Sequence, residues 1–191
     1  MIELAHLLIE GKIVKKNLKS AHSYLTRALR NGDEDARIEL RKLREIELIE
    51  SNDPIKFFEY GQKLEFSKKN IDLEKAQFWY KKAVDLNIMI GILSYCSLLD
   101  NKLRDYRMAL KKKQKLPMTR DEFNATEKEM MSNYKKAADR GNRTALFHYG
   151  LCLEHGNGVK VDKKKAAEYY KKSSEKGLAI AMSNYGVEKN E

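Results

Sequence analysis

The sequence has few residues that break helices or form cross-links. Only two prolines occur in 191 residues, Pro54 and Pro117, so most of the chain is free to be helical. The two cysteines, Cys96 and Cys152, show no CxxC spacing, which excludes a disulfide framework and is typical of a reducing compartment. We expect them to be buried free thiols rather than a bridge.

Long apolar runs are also missing. A membrane-spanning helix needs about 20 consecutive apolar residues, and no part of the chain approaches that length. The apolar start, MIELAHLLIEG, carries Glu3 and Glu10 and has no basic leader, so it predicts a structured helix rather than a signal peptide. These features favour a cytoplasmic protein without a membrane span.

The net charge is +10, and most lysines are interspersed with glutamates, as on the solvated faces of helices. One segment, 104–115, departs from this mixture. Its basic residues are Arg104, Arg107, Lys111, Lys112, Lys113 and Lys115. They are interpreted either as a solubilising helix end or as a patch that binds an acidic protein or the RNA backbone.

A pattern of small and aromatic residues recurs along the chain. In residues 145–177 it consists of Ala145, Tyr149, Gly150, Leu153, Gly156, Gly158, Val159, Asp162, Ala166, Tyr169, Tyr170 and Gly177. Similar series begin in the approximate units 1–32, 54–87 and 91–141, and a terminal helix is predicted over 179–190. Two segments fall outside the pattern: an extra helix predicted over 34–50, and a helical insertion, 102–119, in the third unit.

Each unit is predicted to be two helices joined by a short loop. Small residues let the two helices approach, and the aromatic pair fills the space beside them. Gly156 and Gly158 end the first helix, Asp162 caps the second, and Gly177 ends it. In the second unit Asn87 takes that last position, since asparagine tolerates left-handed backbone.

One hairpin cannot cover its own apolar face, whereas stacked hairpins can. The predicted fold is therefore all-α, a right-handed superhelical α-solenoid of antiparallel helix pairs. We expect residues 1–191 to form a single repeat domain.

The pattern of residues 145–177 resembles the Sel1-like repeat family, which is related to the tetratricopeptide repeats. This unit departs from the family pattern at Leu153, where tyrosine is usual, at Tyr169, where tryptophan is usual, and at Ser173 and Ser174, where alanines are usual. The resemblance covers most of the chain. It implies a concave surface, lined by the first helix of each pair, that binds proteins or peptides.

The candidate binding residues lie on the first helices but off the packing stripe. They are Phe58, Gln62, Lys63, Phe66, Ser94, Ser97, Leu98, Phe147, His148, Leu151 and His155. Phe58, Phe66 and Phe147 are expected to be exposed for a ligand or a neighbouring element. Lys63 and the histidines are suited to hold acidic side chains.

Two local motifs have alternative interpretations. His148, Cys152 and His155 share one helical face and could ligate zinc, but a fourth ligand is missing, and a core thiol with two surface histidines is favoured. Gly156-x-Gly158 has no preceding strand and no Lys-Ser/Thr ending, so the repeat explains it better than a phosphate loop.

No nucleophile–base set or carboxylate pair stands out, so we expect no enzyme, no metal and no cofactor. The favoured hypothesis is a scaffold or adaptor that binds a protein or peptide, with acidic ones among the candidates, along the concave surface. The alternative hypothesis is a basic RNA-associated or structural subunit of a large complex.

Overall fold

The structure is a computed structural model that describes residues 1–67 and 72–181. These residues form helices and contain no strand, so the all-α prediction is confirmed. The helices are α1 (Ile2–Glu10), α2 (Leu18–Arg30), α3 (Asp35–Ser51), α4 (Pro54–Glu65), α5 (Leu73–Asp85), α6 (Met89–Lys111), α7 (Arg120–Asp139), α8 (Arg143–His155) and α9 (Lys163–Glu175). The terminal helix predicted over 179–190 lies outside the described residues beyond residue 181.

The chain divides into two compact parts, an amino-terminal part, Met1–Lys56, and a carboxy-terminal part, Phe57–Glu191. Residues 1–56 contain α1, α2 and α3, and α2 packs against both of the others. Their buried core is made mainly of alanines, with two leucines: Ala5, Ala21, Leu25, Ala28, Ala36 and Leu43. The small side chains let the three helices lie close together. A single domain over 1–191 stays a prediction.

In the carboxy-terminal part each helix packs against the next one along the chain. The pairs α5–α6, α6–α7, α7–α8 and α8–α9 are in direct contact. Helix α4 meets α5 through aromatic rings, since Trp79 lies 5.5 Å from Phe57 and 5.3 Å from Tyr60 between ring centroids. The predicted helix pairs are therefore present, and large rings fill the space that small residues leave.

The loops inside the helix pairs have the predicted caps. The Asp162 carboxylate accepts a hydrogen bond of 3.0 Å from the Lys165 amide at the start of α9, and Asp72 does the same at α5. Gly156 has a φ of 76° and ends α8. A Cβ on Gly158 would lie 2.6 Å from the Glu127 carbonyl oxygen, so this glycine lets the loop touch α7. The loop geometry therefore explains why both positions are glycine, as the repeat predicts.

Residues 102–111 of the insertion extend α6, and residues 112–119 form the connection to α7. Helix α6 continues to Lys111, because no proline or internal glycine interrupts it after its first turn. Lys113 then takes a left-handed φ of 55°, and α7 begins after Thr119 with a capping box to Glu122. The extension is held by Tyr106, whose ring centroid lies 4.5 Å from that of Phe123 on α7.

No helix within residues 1–67 and 72–181 has both the length and the apolar character needed to span a membrane.

Candidate functional site

The predicted binding residues fall into an accessible set and a buried set. The accessible set is called the first-helix surface below, because its members lie on or just after α4, α6 and α8, the first helices of their pairs. It consists of Gln62, Lys63, Phe66, Ser94, Ser97, His148, Leu151 and His155. Phe66 is the most prominent apolar member, with 71% of its surface exposed.

The expectation that Phe58 and Phe147 are exposed is wrong. Each retains only 7% exposure, because each ring packs on a tyrosine of its own helix pair. The ring centroids are 5.7 Å apart for Phe58 and Tyr80, and 5.6 Å apart for Phe147 and Tyr170. Leu98 is buried as well. These three side chains stabilise the helix pairs, and the surface available to a ligand is correspondingly more polar.

His148 lies between α7 and the solvent. Its ring stacks on Tyr134 with a centroid distance of 4.8 Å and an interplanar angle of 8°. Burial lowers the pKa of His148, and the negative charge of Asp100 opposes that shift only in part. The imidazole is therefore neutral at pH 7 and presents hydrogen-bonding nitrogens rather than a positive charge.

Asp100 was missed by the sequence analysis. It is exposed on α6, and its negative charge acts to raise the pKa of both His148 and Cys152 on α8. The repeat pattern itself indicates an acidic residue at this position. Asp100 follows Cys96 by four residues, as Glu65 follows Gly61, so an acidic residue recurs at this position.

The residues considered for zinc do not form a ligand set. Cys152 is buried, and burial raises the pKa of its thiol to about 12, so the group is protonated at neutral pH. His155 is exposed at the end of α8. Among residues 1–67 and 72–181 there is no cluster of three or more His, Cys, Asp or Glu side chains placed to hold a metal ion.

The basic segment is divided by the structure into a bonded part and a free part. Arg107 donates to Glu127 at 2.6 Å and lies over the Phe123 ring at 5.3 Å, so it joins α6 to α7. Arg104 is exposed and donates to the Asn101 side chain. The remaining members are exposed, and their side chains make no hydrogen bond or ion pair with the described residues: Lys111, Lys112, Lys113 and Lys115.

Comparison with known proteins identifies the repeat. The family model described as "Sel1 repeat" matches residues 1–33, 56–88, 132–142 and 144–178. These ranges cover more than half of the chain. The segment between 88 and 132, which contains the extended part of α6, lies outside the match.

Two curated proteins share a short segment with this chain. The proteins named "DAP3-binding cell death enhancer 1" from Rattus norvegicus and Mus musculus are each 54% identical to it over 35 residues. That match spans 18% of this chain and 7% of the length of either relative.

A solved structure supports the fold over nearly the full length. The crystal structure of a Sel1 repeat protein from Oxalobacter formigenes superposes with a TM-score of 0.52 and 23% identity. The alignment covers 96% of this chain and 60% of that one. At this identity the likeness is evidence for the fold alone.

Proposed function

Because this chain belongs to the Sel1 repeat family, in which a protein-interaction role is typical, we propose that it is a non-enzymatic scaffold or adaptor for a protein or peptide. The proposed contact area is the first-helix surface. The observation that carries this proposal is a set of unpaired polar side chains on rigid helices. Gln62, Ser97 and His155 make no side-chain hydrogen bond with the described residues, while the opposite sides of α4, α6 and α8 are buried.

Such an arrangement lowers the cost of binding. The buried stripes fix the helices before a ligand arrives, so little backbone conformational entropy is lost on association. The unpaired donors and acceptors are available for the main chain and polar side chains of a partner. Phe66 adds an apolar contact at the end of α4.

The charges of this surface suggest the chemistry of the partner. Lys63 is exposed and unpaired among the described residues, so it is suited to an acidic side chain. His148 is suited to a neutral hydrogen bond, because burial lowers its pKa. We therefore propose a polar segment with an acidic residue near Lys63, rather than a strongly acidic segment along the whole surface.

A structural role also accounts for the strongly shifted titratable groups, which supports the non-enzymatic proposal. Burial is the main cause of the raised pKa at Tyr80, Tyr95 and Tyr134. The first two donate hydrogen bonds to glutamates that connect helices of the repeat. No catalytic assignment is needed to explain them.

Affinity capture with a matched pair of variants tests the proposal. Lys63→Ser with Phe66→Ser changes only exposed groups of the first-helix surface. Val161→Ser with Lys171→Ser removes one exposed apolar and one exposed basic side chain elsewhere in the carboxy-terminal part. We expect the first variant to lose proteins that the wild type and the control both retain. Equal capture by all three would contradict the proposal.

The four free lysines favour one alternative, an RNA-associated subunit. They cluster at the end of α6 and in the following loop, and they have no neutralising partner among the described residues. Binding through phosphates weakens steeply as salt rises. Replacing Lys111, Lys112, Lys113 and Lys115 by serine should abolish RNA binding. RNA binding that survives this change would remove the alternative.

A further inference from the structure

A groove lies between α5 and α7, with α6 as its floor. It consists of three neighbouring cavities of about 390, 330 and 170 Å³. The first two share Glu74, Gln77, Lys102 and Glu129, and the last two share Lys81, Tyr95 and Glu129. The cavities are therefore one continuous surface feature.

The groove is distinct from the first-helix surface. Its floor includes Leu99 and Lys102, and Leu99 follows Ser97 by two residues. Two residues correspond to about 200° around a helix, so Leu99 and Ser97 face nearly opposite directions. A ligand in the groove would contact the second helices, α5 and α7, rather than α4 and α8.

The insertion builds one end of the groove. Pro117 and Met118, from the segment between α6 and α7, form a wall there, and Leu99 lies beneath. Lys102 and Asp105 line the same cavity from the part of α6 that extends beyond the family pattern. The insertion thus adds Pro117 and Met118 to a recess that also contains charged side chains.

The centre of the groove is rigid and internally paired. Glu129 Oε1 accepts hydrogen bonds from Lys81 Nζ at 2.9 Å and from the Tyr95 hydroxyl at 2.8 Å. These bonds join α5, α6 and α7 across the floor. A ligand is therefore expected to bind the side chains at the two ends of the groove rather than those at this centre.

The end formed by the insertion has an excess of negative charge. Its lining contains the carboxylates of Glu74, Asp105, Glu122 and Glu129 and the single ammonium group of Lys102. The Glu122 carboxylate accepts hydrogen bonds from Thr119, while the carboxylates of Glu74 and Asp105 make no hydrogen bond or ion pair with the described residues. This excess occurs on a chain whose net charge is +10. The local sign is therefore opposite to that of the whole molecule.

From the cavity, its apolar wall and this charge, we propose that the groove binds an extended, arginine-containing segment of a partner protein. The guanidinium would lie between Glu74 and Asp105, since arginine pairs with carboxylates through two parallel hydrogen bonds. Its aliphatic stem, or a neighbouring apolar side chain, would lie on Pro117 and Met118. The carboxylates leave no favourable place for an acidic segment at this end.

The size of the groove sets the length of the segment. From Glu74 to Asp85 the lining residues of α5 span about 17 Å at the rise of an α-helix. An extended chain covers that distance with about five residues.

Titration of the full ¹⁵N-labelled chain with capped pentapeptides tests this assignment. The probes are Gly-Leu-Arg-Leu-Gly, its glutamine analogue and its glutamate analogue, all acetylated and amidated. We expect the arginine peptide to shift the amides of Lys102, Met118 and Thr126, and to bind about tenfold more tightly than the glutamine peptide. The glutamate peptide should not bind.

Variants make the test specific to the groove. Glu74→Gln with Asp105→Asn should weaken the arginine peptide about tenfold, whereas Glu59→Gln with Glu168→Gln, which neutralises exposed carboxylates elsewhere, should not. Lys102→Met should strengthen binding, because it removes the opposing positive charge. The proposal is overturned by equal affinity for the arginine and glutamine peptides, by shifts confined to other surfaces, by equal effects of the two double variants, or by no binding at millimolar peptide.

Discussion

The hydroxyl of Tyr80 on α5 donates a hydrogen bond of 2.6 Å to the Glu65 carboxylate at the end of α4. Tyr170 on α9 makes the equivalent bond to Glu154 on α8, in the fourth copy of the repeat. Each pair ties a second helix to its own first helix. The bond recurs because the same residue types recur at the same places, so the hairpin is the structural unit of the repeat.

A glycine makes this relationship possible. A Cβ on Gly61 would lie 2.7 Å from the Tyr80 ring, and Gly150 is equally close to the Tyr170 ring. In the first copy Ala5 takes the glycine position and Leu25 takes the tyrosine position, and both are fully buried. Alanine in place of glycine adds a methyl group, and leucine in place of tyrosine leaves room for it.

We predict that Gly61→Ala destabilises the protein because the new methyl group overlaps Tyr80. Overpacking costs about 1–3 kcal/mol, which exceeds the gain of about 1 kcal/mol in helix propensity. Combining it with Tyr80→Leu reproduces the first copy, so the double variant should be more stable than the sum of the single changes by at least about 1 kcal/mol. Urea unfolding of the four proteins measures this cycle, and simple additivity would contradict the packing account.

Alkaline titration tests the buried tyrosines. Burial and a hydrogen bond to Glu129 raise the pKa of Tyr95 to about 12, and burial also raises the pKa of Tyr80 and Tyr134. The folded protein retains these protons, so their contribution to stability is complete below pH 10 and is lost as the pH rises above it. Absorbance at 295 nm should show that Tyr95→Phe removes almost no signal at pH 10.5 from the folded protein. In urea the same change should remove the absorbance of one of the ten ionising tyrosines.

Mild acid should weaken the packing around His148. Burial lowers its pKa in the folded state, so the unfolded chain binds a proton more readily as the pH falls below about 6.5. The stabilising contribution is therefore present above that pH and is lost below it. His148→Phe keeps a ring for stacking on Tyr134 but cannot titrate. We expect its urea midpoint to change less between pH 7.5 and 5.5 than that of the wild type. Identical changes would contradict the burial of this imidazole.

Thiol labelling checks the two cysteines. Burial raises the pKa of both Cys96 and Cys152, so neither offers a thiolate to a disulfide reagent at pH 8. We expect slow labelling of the folded protein and rapid labelling of both thiols in urea. Ser97→Cys provides an exposed control on α6 and should react at once. Fast labelling of the unchanged protein would show that these sites open in solution.

The helix pairs were predictable from the sequence because the residues that build them act locally. Asp162 caps a helix with its own side chain, and Gly156 takes left-handed backbone, wherever the neighbouring helices lie. Asn87 was likewise predicted at a helix end, and its φ is 62°. The spacing of small and aromatic residues then indicated which side of each helix is buried.

The candidate site was less predictable because exposure depends on contacts between distant residues. Phe58 and Phe147 lie off the strict packing stripe, yet each ring reaches the tyrosine of the following helix. Asp100 had no motif of its own apart from its place in the repeat. The groove between α5 and α7 depends on Pro117 and Met118, which fold back from an insertion without a repeat pattern.

Site-specific photo-cross-linking tests the central claim, that the first-helix surface holds a protein partner. Benzoylphenylalanine replaces Ser97 on that surface in one variant and exposed Lys171 on α9 in another. We predict a discrete protein adduct from position 97 that is absent from position 171. An adduct from position 171 alone, equal adducts from both, or none from position 97 would contradict the claim.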